Sequence, residues 1–125
     1  MKLLLDTHVL IRILEDESID EIEKDETYRF APLYVSLASL WEMSIKISLG
    51  KLSLSGSFSK ILIKLEQAKI QLLPIDHSSL TKLIDLPWLH KDPFDRLIIA
   101  QSLVHNFTLV TDDSYIRNYP EIKTL

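Results

Sequence analysis

Asp6, Asp92, Asp95 and the adjacent pair Asp112 and Asp113 all stand where one predicted element gives way to the next, and Glu42 lies inside a predicted helix. Carboxylates at such positions either cap helices and fill turns or gather into a site. Three or four of them within about 4–6 Å would repel by several kcal/mol at an effective dielectric near 20. Such a cluster persists only with a cation or with raised pKa values. The chain has no cysteine, and oxygen-only ligands point to a hard divalent ion, Mg2+ or Mn2+. That ion would also bring positive charge to a phosphate substrate.

Each acid has an ordinary structural role to set against chemistry. Asp92-Pro93 is a strong helix start, with Asp as N-cap and Pro at the first helical position, and Asp95 then lies well against the helix dipole. One acid satisfies the cap, so a second beside Phe94, Leu97 and Ile98 is open to a functional reading. Ser39-x-x-Glu42 fits a capping box, but Ser36 is the better cap because it directly follows Val35. Glu42 then falls in the second turn, where capping does not explain it. Asp6 and Asp113 suit a strand-to-helix turn as well as a site.

The elements that would hold these acids read as alternating strands and helices. Leu3–Leu5 is a continuous apolar run, the mark of a central parallel strand, with Asp6 at its carboxyl end. Val9, Leu10, Ile13 and Leu14 recur at helical spacing, and Ser18-x-x-Glu21 is a capping box for a short helix with Ile19 and Ile22 inward. Leu33–Ser36 predicts a strand, and residues 37–49 a helix closed by Gly50. Phe58, Ile61, Leu62, Leu65 and Ala68 mark another helix, and Ile70–Ile75 a strand. Leu80, Leu83 and Ile84 mark a helix ended by Pro87, and the helix opened at Asp92 runs to about His105. Phe107–Val110 is a strand ending in Thr111-Asp112-Asp113, and Glu121–Thr124 is a candidate edge strand. This order argues for a single domain with an α/β sandwich on a parallel sheet, whose sites form outside the carboxyl ends of the strands.

Composition removes other chemistries. At 125 residues, 46% hydrophobic and 26% charged, the chain has the makeup of one soluble globular domain. No apolar stretch is long enough to span a membrane and no leader is visible, so the expected address is the cytoplasm. A net charge of −4 cuts against a protein that holds nucleic acid by a broad basic surface. Two glycines exclude a phosphate-cradling loop. His8, His77, His90 and His105 form no HxxxH or HExxH pattern and read as surface or structural residues. Trp41 and Trp88 read as packing residues rather than base-stacking platforms.

LLLDTHVL, VSLASLWEMSIKISLGKL and HKDPFDRLIIAQSLVHNFTLVTDD resemble, in that order and across essentially the whole chain, the PIN domain, in particular the VapC-type toxins of toxin–antitoxin pairs. The resemblance implies a PIN-like, Rossmann-like three-layer sandwich with a central parallel sheet of four to five strands. It implies a metal-dependent endoribonuclease using one or two Mg2+ or Mn2+ ions, with Asp6, Glu42, Asp95 and Asp113 as catalytic and metal-binding acids. Thr111 corresponds to a supporting hydroxyl, and the Thr-x-Asp spacing favours Asp113 over Asp112. Thr7, Asp92, Asp112 and Arg96 are further supporting candidates, Asp92 as cap and Arg96 through local pairing or contact with substrate or an acid. An RNA substrate, an antitoxin partner and a homodimer follow from the same resemblance. The apolar faces of Val9–Leu14 and of the helix at residues 37–49 are candidates for the antitoxin contact. Two rival readings are a catalytically silent PIN-like binding module and a receiver-type signalling domain with an acidic pocket.

Overall fold

The computed structural model describes residues 1–125. Its centre is β1 (Leu3–Leu5), three leucines with no exposed surface. Because successive strand residues face opposite ways, Leu3 and Leu5 enter one core and Leu4 the other. β2 (Leu33–Ser36), β3 (Ile70–Leu73) and β4 (Thr108–Val110) complete a wholly parallel sheet in the order β3-β2-β1-β4.

Helices cover both faces. α1 (Thr7–Leu14) and α5 (Ile61–Gln67), the latter preceded by a short 3-10 turn, bury Val9, Leu10, Leu14, Ile61 and Leu65 in the first core. α4 (Leu37–Ser48) adds Leu40 and Met43 there and turns Ala38 to the second. α7 (Pro93–His105) fills the second core with Leu97, Ile98, Ile99 and Ala100. α6 (His77–Asp85) packs on α7, while α2 (Asp20–Glu23), α3 (Glu26–Arg29) and α8 (Ser114–Arg117) are single turns. Gly50 closes α4 with φ +72°, the left-handed conformation that glycine adopts without steric cost. No helix is long and apolar enough to cross a membrane.

Several expectations need correction. The Ser18-x-x-Glu21 box does not form: α2 begins at Asp20 with Ile19 at the cap position and no side-chain cap, because Ile19 and Ile22 are drawn into the core. α3 was not expected. β3 ends at Leu73, ahead of Pro74. The segment Glu121–Thr124 makes one bridge, Leu109 to Thr124, rather than a strand, since Glu121 takes a left-handed φ of 64°. The apolar face of α1 is consumed by the core at Val9, Leu10 and Leu14, so it offers a partner little.

Candidate active site

Strand register decides which side chains meet. Leu5 is level with Val35 on one side and Val110 on the other, so Asp6, Ser36 and Thr111 align along the carboxyl edge. The chain moves from β1 out to β2 and β3, then crosses back to β4 on the far side of β1. The crevice at that reversal, between β1 and β4, is where open α/β sheets place their sites.

Asp6 is buried, and its two oxygens have separate tasks. Oδ1 accepts the Val9 N–H at 2.8 Å, capping α1, and Oδ2 accepts the Thr111 hydroxyl. The Thr111 oxygen in turn accepts the Asp113 N–H at 3.0 Å, so one hydroxyl ties the acid after β1 to the acid after β4. Burial pushes the Asp6 carboxyl above its ordinary pKa against the pull of these bonds. The Thr7 hydroxyl donates to Ser39 Oγ at 2.9 Å, joining α1 to α4 just behind the acids.

Ser36 caps α4 through the Ala38 N–H at 3.0 Å, and Glu42 therefore projects from the second turn as expected. Glu42 is 3% exposed. Its Oε2 meets Lys46 Nζ at 2.8 Å, one turn along the helix, and its Oε1 is buried with no partner. The Lys46 ammonium is held above its usual pKa, first by the Glu42 hydrogen bond, with Asp92 and Asp95 contributing charge.

Asp92 caps α7 through Oδ1, accepting the Phe94 N–H at 2.8 Å and the Asp95 N–H at 3.1 Å. The helix start thereby fixes Asp95, whose pKa is pushed up to about 7 by burial first, then by the charges of Asp92 and Glu42, with Asp6 adding and His90 opposing. Glu42, Asp92, Asp95 and Asp6 thus share one electrostatic pocket.

His90 was not expected there. Its Nε2 lies 2.9 Å from Asp113 Oδ2 and 3.1 Å from Asp95 Oδ2. One donor atom from each of the three residues falls within 4.8 Å of the others. The tautomer follows from the other ring nitrogen: Nδ1 accepts the Asp92 N–H at 3.1 Å, so a neutral ring carries its proton on Nε2. A protonated nitrogen donates to carboxylates and has no lone pair for a metal. In this arrangement His90 donates from Nε2 to Asp113 and lies against Asp95 at 3.1 Å. Burial would raise the Asp113 carboxyl, but the His90 bond and the Tyr115 N–H at 2.8 Å outweigh it and hold the pKa below the usual value.

A family model described as PIN domain matches residues 3–122. The chain belongs to the PIN domain family. No curated protein matches it significantly by sequence. Among solved structures, this PIN chain is similar to a chain of VapBC2 from Rickettsia felis bound to a DNA fragment from its promoter, with a TM-score of 0.75, 16% identity, and 100% of this chain and 98% of the other covered. A chain of DNA-bound VapBC from Salmonella typhimurium gives a TM-score of 0.72 at 16% identity, covering 100% and 97%. The PIN domain endonuclease Utp24 gives 0.56 at 15% identity, covering 99% and 83%. At these identities the likeness is one of fold, and the family assignment sets the receiver-type alternative aside.

The remaining candidates of this PIN chain lie outside the acid cluster. Asp112 is exposed and pairs with Arg12 Nη1 at 3.2 Å, which leaves Asp113 as the acid facing the pocket. Arg96 is 3% exposed and its guanidinium donates to the Pro87, Leu83 and Leu86 carbonyls and the Tyr119 hydroxyl at 2.9–3.3 Å. It is a local fastener and pairs with no acid. Trp41 and Trp88 are 56% and 75% exposed, so neither is a core packing residue. Trp41 meets the edge of Phe94, and Trp88 carries Arg96 on its ring.

Proposed function

We propose that this PIN domain is a metal-dependent endoribonuclease, the toxin of a toxin–antitoxin pair, with Asp6, Glu42, Asp95 and Asp113 as its working acids. The observation that carries the reading is the cluster itself: Asp6, Glu42 and Asp95 are buried together at the carboxyl edge, Asp113 meets Asp95 across His90 at 2.9 and 3.1 Å, and burial with the neighbouring charges pushes the Asp95 pKa up to about 7. The donor set fits a hard divalent ion, since it is built of carboxylate oxygens and one of them, Glu42 Oε1, is buried without a partner. The four acids would hold Mg2+ or Mn2+. Such an ion supplies charge neutralisation at a phosphate and lowers the pKa of water for attack.

The chain's own residues shape that site. Thr111 and the Val9 amide aim the two Asp6 oxygens. Lys46 restrains Glu42 through Oε2 and leaves Oε1 free. Asp92 holds Asp95 at the helix start. His90 donates to Asp113 and lies 3.1 Å from Asp95, bridging the two acids. Water attacking the phosphorus in line opposite the 3′ oxygen, which leaves as the 3′-hydroxyl after taking a proton, would give 5′-phosphate and 3′-hydroxyl ends.

The toxin reading is supported by likeness to chains of VapBC complexes, and it brings an antitoxin, a toxin homodimer and action in the cytoplasm with it. A pI near 5.5 suits a basic partner segment. Leu37 and Trp41 on α4, half-exposed beside an open groove, suit its apolar residues. The test is to incubate the purified chain, freed of partner, with an RNA pool containing tRNA, in Mg2+, Mn2+ or EDTA, alongside Asp6→Ala. Cuts that vanish in EDTA and in the variant are expected. No cleavage together with no metal binding would instead make this a silent binding module.

A further inference from the structure

We propose that Trp88 is a stacking platform for a base of the bound RNA strand, with Lys91 meeting the adjoining phosphate. This deepens the nuclease reading and rests on it. The segment Trp88–Asp92 divides its side chains between two places. His90 and Asp92 belong to the acid site, whereas Trp88 and Lys91 line a neighbouring cavity of about 390 Å3 with Leu83, Ile84, Pro93 and Arg96.

The indole is 75% exposed and rests one face on Arg96, leaving the other open. The buried Arg96 guanidinium sits 3.7 Å from the ring centroid, and Arg96 is itself locked by four hydrogen bonds, one to Tyr119. The same Tyr119 hydroxyl accepts the backbone N–H of His90 at 2.9 Å, so the arginine behind the indole and the loop that carries His90 share one anchor. An exposed tryptophan backed on one face by a cation presents the other, apolar face to a flat ligand. Base-on-aromatic stacking accepts any base through its π-face.

Charge favours a nucleotide as the occupant. In a chain of net charge −4, this cavity has two cationic residues, Lys91 and Arg96, and no acid in its lining. It begins one residue from His90. A strand whose phosphate lay at the acids would find here an aromatic face for a base and an ammonium for the next phosphate.

The experiment uses the full chain carrying Trp41→Phe, which leaves Trp88 as the sole tryptophan. Its fluorescence is followed while a short mixed-sequence single-stranded RNA is added in EDTA, and the cleavage kinetics of Trp88→Ala and Trp88→Phe are compared in Mn2+. Saturable quenching is expected, with KM raised about ten-fold in Trp88→Ala, kcat largely kept, and Trp88→Phe restoring much of the loss. No quenching and an unchanged KM in Trp88→Ala would overturn the proposal and leave the face to a protein partner. Because quenching is read without cleavage, a chain that stacks RNA but never cuts it would defeat the nuclease reading and leave the platform standing.

Discussion

Asp95 enters the folded state against opposition, and that opposition has a sign. Its folded pKa of about 7 lies above the ordinary 3.8, so the stability this group contributes is fully present below pH 3.8 and is lost as pH rises through about 7. Once ionised, it costs on the order of a few kcal/mol. Asp95→Asn should therefore stabilise the metal-free protein in urea unfolding at pH 8, by on the order of 1–3 kcal/mol, and change little at pH 4. An equal effect at both pH values would mean that packing, not charge, dominates. At this scale the acids were legible because they follow strands and open helices. His90 was not, since its place depends on how the loop before α7 curls back to Asp113, and no sequence period records a loop's curvature.

Helix starts aim the acids, so the caps are part of the site. Asp92 has two effects that substitutions can separate: its Oδ1 satisfies two amides, and its charge raises Asp95. Asp92→Ala should lose about 1 kcal/mol of stability for the cap. Asp92→Asn should keep most of the cap, and both should lower the Asp95 pKa in an NMR titration. If Asp92→Asn leaves that pKa in place, the two charges are not coupled. The cap at Ser36, which ends a strand, and the cap at Asp92, which precedes Pro93, could be read from the sequence. The Ser18 box could not, because burial of Ile19 and Ile22 overrode a local preference that is worth only about 1 kcal/mol. The final segment departs from the edge strand expected at Glu121–Thr124 for a different reason: a left-handed Glu121 breaks the extended run.

For the whole molecule, a sheet one central strand deep in leucine separates two cores and brings Asp6, Glu42, Asp95 and Asp113 to a single edge from four different elements. The α/β class and the parallel sheet followed from apolar runs alternating with helical periods. The strand order did not, because which side of β1 receives β4 is decided by how the crossover helix packs. The central claim is that this converging set is a divalent-cation site, which a calorimetric titration with Mn2+ at pH 6 and pH 8 tests most directly. The account predicts binding that tightens from pH 6 to pH 8, as the proton on Asp95 ceases to compete, and that fails in Asp95→Asn. Absence of binding at both pH values, or undiminished binding in Asp95→Asn, would contradict it.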